Sequence, residues 1–300
     1  MSLVYSTFTN EKDPKMNRVS ASELTRREFL RRSAAGLGGI ALGMGLMPVA
    51  QAGPGAKIPI GLELYSLRDQ CKTDLPAMLS AVSKIGYQGV EFAGYHGRSA
   101  KELRTMLDDN GLVACGTHTP YETVLEDKLK ETVEFNRVIG NRFLIVPSMT
   151  AASKKEWLEK ASLFNEIAGK LKPDGMWVGY HAHQHDFTKV EGETPWDIFA
   201  AHTRPEVILQ LDTSNCRDGG ADPVAVLKKY PGRTRSIHIK ANGGGPEAVI
   251  GEDKVDWPEV FAFCESKGKT EWYIVEHETS KDPLDAVKRS FEALKKLGKV

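Results

Sequence analysis

Cysteine is scarce in this chain and net charge is absent, and both facts remove classes of function. The four cysteines, Cys71, Cys115, Cys216 and Cys264, show no C-x-x-C spacing. Neither a zinc knuckle nor a disulfide-stapled domain is therefore indicated, and Cys115 and Cys264, in apolar contexts, read as buried small hydrophobes. The 40 Lys and Arg balance the 40 Asp and Glu. A protein that tracks a phosphate backbone carries a basic excess, so nucleic acid is not the expected partner. Past the first fifty or so residues no apolar run reaches the about 20 residues that span a bilayer. The first strand-to-helix turn, Tyr65-Ser66-Leu67-Arg68-Asp69, lacks the glycine fingerprint of a dinucleotide-binding sheet.

What is present divides into two parts. Residues 1–52 read as an N-terminal extension and targeting segment. Thr25-Arg26-Arg27-Glu28-Phe29-Leu30 is a twin-arginine motif, an apolar Gly- and Ala-rich stretch follows from Ala34 to Val49, and Ala50-Gln51-Ala52 offers a cleavage site before Gly53. The expectation is export to the periplasm, or otherwise out of the cytoplasm, through the twin-arginine machinery. That route carries folded proteins, so an ion can be loaded before competition from Cu²⁺ and Zn²⁺, which bind nitrogen and oxygen sites more tightly than Mn²⁺ or Fe²⁺.

Residues 53–300 read as one domain. With 41% hydrophobic and 27% charged residues overall, the chain can bury a large core. Strand patterns at Ile58–Tyr65, Gln88–Phe92, Leu112–Thr117, Phe143–Val146, Met176–His181, Val207–Asp212, Arg235–Lys240 and Trp272–Glu276 alternate with helix patterns. The helices are expected at Leu75–Ile85, Ala100–Asn110, Leu125–Ile139, Lys154–Leu171, Trp196–His202, Pro223–Lys229, Trp257–Lys267 and Pro283–Leu297. Asp74, Ser99, Ser153 and Asp222 are candidate N-caps, and Gly86, Gly111, Gly140 and Gly268 candidate stops. Eight strand–helix units in about 250 residues match a (β/α)8 TIM barrel. A doubly wound sheet would gather its chemistry near one switch point. Here it is spread over many strand ends: Glu91, His118, His181, Asp212, His238 and Glu276. In a barrel these all open on one face.

Two carboxylates and imidazoles at such ends suit an open divalent-metal site, with His181, Asp212, His238 and Glu276 as ligands. One ion is expected, Mn²⁺, Mg²⁺, Fe²⁺, Co²⁺ or Zn²⁺, with a lean toward Mn²⁺. His183, His185 and Asp186 follow in the loop above, as partners for sugar hydroxyls or as groups that orient the ligands. Tyr65, Phe92, Tyr95 and Trp257 are candidate walls for a sugar face, Phe92 being also a natural core residue. Arg217 and Lys240 are the cations near the glycine loop Asn242–Gly245.

In order along the chain stand Gly61-Leu62-Glu63-Leu64-Tyr65-Ser66-Leu67-Arg68-Asp69, Gly89-Val90-Glu91-Phe92-Ala93-Gly94-Tyr95, Tyr180-His181-Ala182-His183 with Asp186-Phe187, Asp212-Thr213-Ser214-Asn215, His238-Ile239-Lys240 and Val275-Glu276. From about Ile58 onward the chain resembles the sugar phosphate isomerase/epimerase group of xylose-isomerase-like barrels, kin to hydroxypyruvate isomerases, ketose 3-epimerases and type IV endonucleases. The resemblance implies metal ligands at Asp212, His238 and Glu276. It also implies that ketose epimerases carry a Glu where this chain has His181, so the two-carboxylate pair of a 3-epimerase is missing.

The expected chemistry is proton abstraction next to the carbonyl of a sugar or keto-sugar, through a metal-stabilised enediolate. Glu276 or His181 is the base, His118 or Glu91 returns the proton, and Lys240 neutralises negative charge. This reads first as an isomerase or epimerase. A metal-dependent 3-keto-glycoside lyase or hydratase is the closest alternative, and a non-catalytic exported barrel that binds sugar or metal is a third. Phe261, Phe263 and the C-terminal helix fit either a core or the interface of a homo-oligomer.

Overall fold

The computed structural model describes residues 57–300. The twin-arginine motif, the cleavage site and the start of the expected domain at Gly53 lie outside the described residues. Among the described residues no helix is long and apolar enough to cross a membrane.

Eight short strands are all paired in parallel: β1 Ile60–Glu63, β2 Gly89–Phe92, β3 Val113–His118, β4 Phe143–Val146, β5 Trp177–His181, β6 Ile208–Gln210, β7 Ser236–Ile239 and β8 Trp272–Val275. Their order is β6-β5-β4-β3-β2-β1-β8-β7. The remaining seam is joined by a parallel bridge between Asp212 and His238, with His238 N donating to Leu211 O at 2.9 Å. The sheet is thereby a TIM barrel, with the chain crossing from strand to strand through helices outside it.

Those helices are α1 Arg68–Ile85, α2 Ala100–Asn110, α3 Glu126–Ile139, α4 Lys154–Leu171, α5 Pro195–His202, α6 Thr213–Asp218, α7 Pro223–Lys229, α8 Trp257–Phe263 and α9 Pro283–Lys296. Ser99 closes a capping box with Glu102, and Ser153 and Asp222 cap as expected. Asp74 caps too, but inside a longer helix. It breaks α1 with φ −151° and accepts from Ala77 N, because Arg68–Thr73 forms a helical turn that the sequence pattern did not show. Gly268 is not the stop of α8. The chain leaves through a π turn, Cys264–Gly268, and Lys269 takes the left-handed position. Helix α6 was also unforeseen, because its six residues carry no apolar period.

Most of the core lies between strands and helices, where Phe261 and Phe263 are buried. This assigns those two side chains to the core and removes them from any subunit interface. A second apolar cluster, Cys115, Phe143, Ile145, Ile208, Trp272 and Ile274, fills the barrel interior. It is the floor on which the polar groups stand.

Candidate active site

Side chains alternate across a strand with period two, so every second residue enters the barrel. Ile208 of β6 is in the interior apolar cluster, Gln210 stands above it and Asp212 above that; on β8, Ile274 is followed by Glu276. By the same step β7 contributes Ser236, His238 and Lys240, and β5 contributes Gly179, His181 and His183. Glu63 and Glu91 lie opposite each other in register on β1 and β2. The interior thus changes from apolar to ionisable within two residues of each strand end.

The imidazole of His238, fully buried, is the hub. Its Nε2 lies 2.6 Å from Glu91 Oε2, and its Nδ1 lies 3.0 Å from Glu276 Oε2 and 3.9 Å from Asp212 Oδ2. Burial opposes its charging, but the bonds to Glu276 and Glu91 hold its pKa well above the ordinary value. His181 behaves in the opposite way. Burial, with His238 and His118 beside it, holds it well below the usual range and therefore neutral.

The tautomer of His181 follows from the network around Gln210. The Gln210 amide nitrogen lies 3.1 Å from each Glu91 oxygen and 3.0 Å from Ser236 Oγ, so its oxygen is the acceptor that faces His181 Nδ1 at 2.9 Å. The His181 proton is on Nδ1. Its Nε2 lone pair is left for the cluster.

Charge in the site is unbalanced toward negative. Lys240 Nζ meets Glu278 at 2.6 Å, Glu276 at 3.4 Å and Asp212 at 3.7 Å, one cation among three carboxylates. Burial alone would raise Glu276, yet Lys240 and His238 hold it well below the ordinary carboxylate range. Asp212 is pushed up to about 7 by burial, Lys240 notwithstanding, and its Oδ2 is buried without a hydrogen-bond partner. Glu63 is raised well above its usual value by burial and by Glu91, and its Oε2 is likewise unpartnered.

This donor set fits a divalent ion. His181, Asp212, His238 and Glu276 each offer one ligand atom, all within 4.8 Å of one another. The free nitrogen of His181, the orphaned oxygen of Asp212 and a carboxylate behind the far nitrogen of His238 are what such an ion requires. Gln210→Leu, which removes the acceptor that orients His181 and a donor that orients Glu91, is expected to weaken metal affinity about 10- to 100-fold, as read by competition with a chromophoric chelator.

A cavity of about 900 Å³ opens above the cluster, lined on this side by Tyr65, His118, His181, His183, Glu276 and Glu278. Several residues singled out in the sequence stand elsewhere. Glu91 is sealed beneath the cavity, with its oxygens committed to His238 and Gln210, so it positions His238 and does not exchange protons with a substrate. Asp186 is buried and accepts from Tyr180 OH and His183 N, both at 2.7 Å, which fixes the β5 loop and leaves no contact for a sugar. His185 bonds Met149 O. Trp257 is buried against Phe261, with its N–H on Asp253, and Arg217 reaches Asn242; neither lines the cavity. The glycine loop is explained by packing, since a Cβ on Gly244 would collide with Glu252 O. Glu63, Gln210 and Glu278 were missed. Glu63 and Gln210 sit on the inward phase of strands already assigned, and Glu278 lies two residues past Glu276, beyond the end of β8; that two-residue step is the signal that would have found them.

The chain is thus a parallel eight-stranded barrel with carboxylates and imidazoles at its C-terminal mouth that could hold a metal ion. A sequence profile of the xylose isomerase-like TIM barrel family matches residues 79–297, and the chain belongs to that family. It is 24% identical over 245 residues to an inosose dehydratase of Serratia proteamaculans, a match that covers 67% of this chain and 81% of that protein. The crystal structure of a sugar phosphate isomerase/epimerase from Parabacteroides distasonis superposes with a TM-score of 0.70 at 26% identity, over 80% of this chain and 98% of the other. The IOLI protein, whose crystal structure holds a zinc atom, shares the fold with a TM-score of 0.63 at 13% identity, over 80% and 98% of the two chains.

Proposed function

We propose that the protein is a divalent-metal-dependent lyase that acts on a keto-sugar by removing the proton next to the carbonyl and expelling the substituent one carbon further on. The observation that carries this reading is the fixed tautomer of His181. With Nδ1–H spent on Gln210, the Nε2 lone pair is the one left to the cluster, and once that pair is given to the ion the β5 strand end has no second base to offer. Epimerisation at one carbon needs a proton removed on one face and returned on the other. Elimination needs one base and one acid.

His181, Asp212, His238 and Glu276 would hold the ion, which supplies Lewis-acid polarisation of the substrate carbonyl. His238 Nδ1 and Lys240 Nζ both approach Glu276 on Oε2, where the ion would take the place of the His238 proton, and this leaves Oε1 for the cavity that the residue lines. Glu276 takes the α-proton, the C–H electrons form the carbon–carbon double bond, and the β C–O bond breaks with its pair going to oxygen. That oxygen needs a proton. His118, on the cavity wall with Nδ1 3.7 Å from Glu63 and Nε2 3.8 Å from Glu91, would deliver it from its imidazolium form, which burial disfavours and the Glu91 charge beside it favours, and would be recharged by a proton from solvent. Lys240 offsets the negative charge that develops beside Glu276. The relationship to an inosose dehydratase supports the elimination, and the zinc of the IOLI protein supports the metal. Export through the twin-arginine segment remains part of the proposal.

Two measurements test it. Elemental analysis should find one divalent ion per chain, lost in the Asp212→Asn/His238→Ala double variant; no metal after incubation with Mn²⁺, Co²⁺ or Zn²⁺ would remove the mechanism. Proton NMR of 3-keto-glycosides in D₂O should show the leaving alcohol released together with an enone product. Inversion of a carbon without release would make the enzyme an epimerase.

A further inference from the structure

The cavity is larger than the chemistry above requires. Its roughly 900 Å³ stand near the upper end of the range of about 300–1,000 Å³ that encloses drug-sized ligands. The part next to the ion site is bounded by His118, His181 and Glu276. From there one continuous space runs outward past Thr119 and Pro120 to Tyr95, Thr132 and Phe135. That outer arm takes its walls from the loop after β2, the loop after β3 and one face of α3, and no residue in it has a role in the elimination.

The arm is built and not incidental. Tyr95 and Phe135 stack with ring centroids 4.2 Å apart and an interplanar angle of 27°. The Tyr95 hydroxyl is held by Asn136, whose Nδ2 approaches it at 3.1 Å and whose Oδ1 lies at 3.3 Å. Asn136 is fully buried and fixed in turn, its Nδ2 donating to Thr132 O at 2.8 Å and its Oδ1 accepting from Asn141 Nδ2 at 2.8 Å. Asn141 closes on Thr117 Oγ1 and Phe143 O, which ties the aromatic pair to β3 and β4. A buried polar network of this kind, every member satisfied, is the usual device for holding a surface rigid. Rigid aromatic faces lose little entropy when a ligand covers them, and they suit the apolar face of a ring. Along the same face of α3, and in the turn before it, Lys128, Glu131 and Thr123 supply a polar rim.

We propose that this arm is the subsite for the leaving group, and that the leaving group is itself a ring with an apolar face and polar edges, so that the substrate is a keto-glycoside of a sugar or aryl alcohol and not a free keto-monosaccharide. The assignment of that ring as the leaving group rests on the lyase reading, because only an elimination gives the second ring a chemical fate. The arm's preference for a second ring does not rest on it.

The test uses unreactive ligands, so binding is read without turnover. Titration calorimetry of the metal-loaded, full-length protein would compare methyl glucoside, phenyl glucoside and the disaccharides cellobiose and maltose, each anomer where two exist. A ring-bearing ligand should bind at least tenfold more tightly than methyl glucoside, and Phe135→Ala should remove most of that advantage. Phe135→Leu, which keeps the packing, should remove part of it and stands in if the alanine variant does not fold. The phenyl and disaccharide arms decide between an aryl and a sugar ring. Equal affinities for all four, no binding by any ring-bearing glycoside, or an advantage that survives both Phe135 substitutions would overturn the proposal. A ring preference without alcohol release from the corresponding 3-keto compounds would instead sink the lyase reading and leave the subsite in place.

Discussion

Glu276→Gln is expected to lower turnover of a keto-glycoside by about 10²–10⁴-fold, and the loss should persist at saturating metal. The amide keeps the volume of the carboxylate and retains an oxygen that can accept from His238 Nδ1 and Lys240 Nζ, so packing around the nearly buried side chain is preserved. Lys240 also keeps its contacts with Glu278 and Asp212. Removal of one negative charge from a crowded carboxylate cluster relieves repulsion, which offsets the weaker ion pair, and the melting temperature should move little. What the amide lacks is a lone pair basic enough to take a proton from carbon. The wild-type carboxylate is ionised across the physiological range because Lys240 and His238 outweigh its burial. Since Glu276 is also a candidate ligand, metal affinity should fall, and the comparison is made with metal in excess. Exchange of the α-proton with D₂O is the decisive readout: wild-type exchange in Glu276→Gln would remove this residue from the role of base.

Most of the fold was legible because a parallel barrel writes itself into the chain twice, as apolar strand cores and as amphipathic helices between them. Phe143–Val146 and the helices Ala100–Asn110, Lys154–Leu171 and Pro223–Lys229 have the bounds their patterns imply. The rest was lost where local pattern and tertiary role part. Arg68–Thr73 is helical because α1 continues through the Asp74 kink onto the barrel, not because its residues alternate in character. The convergence of His118, His181, Asp212, His238 and Glu276 could be read from their places at strand ends. Their division of labour could not, since it depends on which partner each nitrogen and oxygen meets. Glu91 looks like its neighbours in sequence, yet a covering layer of ligands and the amide of Gln210 turn it into a support for His238. Trp257 was offered as a sugar platform on residue type alone, and the turn that begins α8 directs it into the core.

That supporting layer has a sharp sensitivity at Gly116. The pairing of β2 with β3 slips between Val90 and Glu91, and Gly116 is the residue that then faces Glu91. A Cβ there would strike the Glu91 carboxylate oxygen and lie 2.8 Å from its Cδ. A side chain at the surface would swing away at small cost. Glu91 is fully buried, and its oxygens are engaged by His238 Nε2 and Gln210 Nε2, so movement breaks charge-assisted bonds inside the barrel. Separating a buried charged pair costs about 3–5 kcal/mol, and Gly116→Ala is expected to destabilise the protein by an amount near the lower end of that range. Metal affinity should fall with it, because His238 loses the acceptor that keeps its Nε2–H directed away from the ligand cluster. Denaturant unfolding and chelator competition measure the two effects. The cause is separable by a double-mutant cycle: in a Glu91→Ala background there is no carboxylate to strike, and adding Gly116→Ala should cost less than about 1 kcal/mol. An undiminished cost in that background would place the damage in the β2–β3 backbone and would release Glu91 from its role in holding the site.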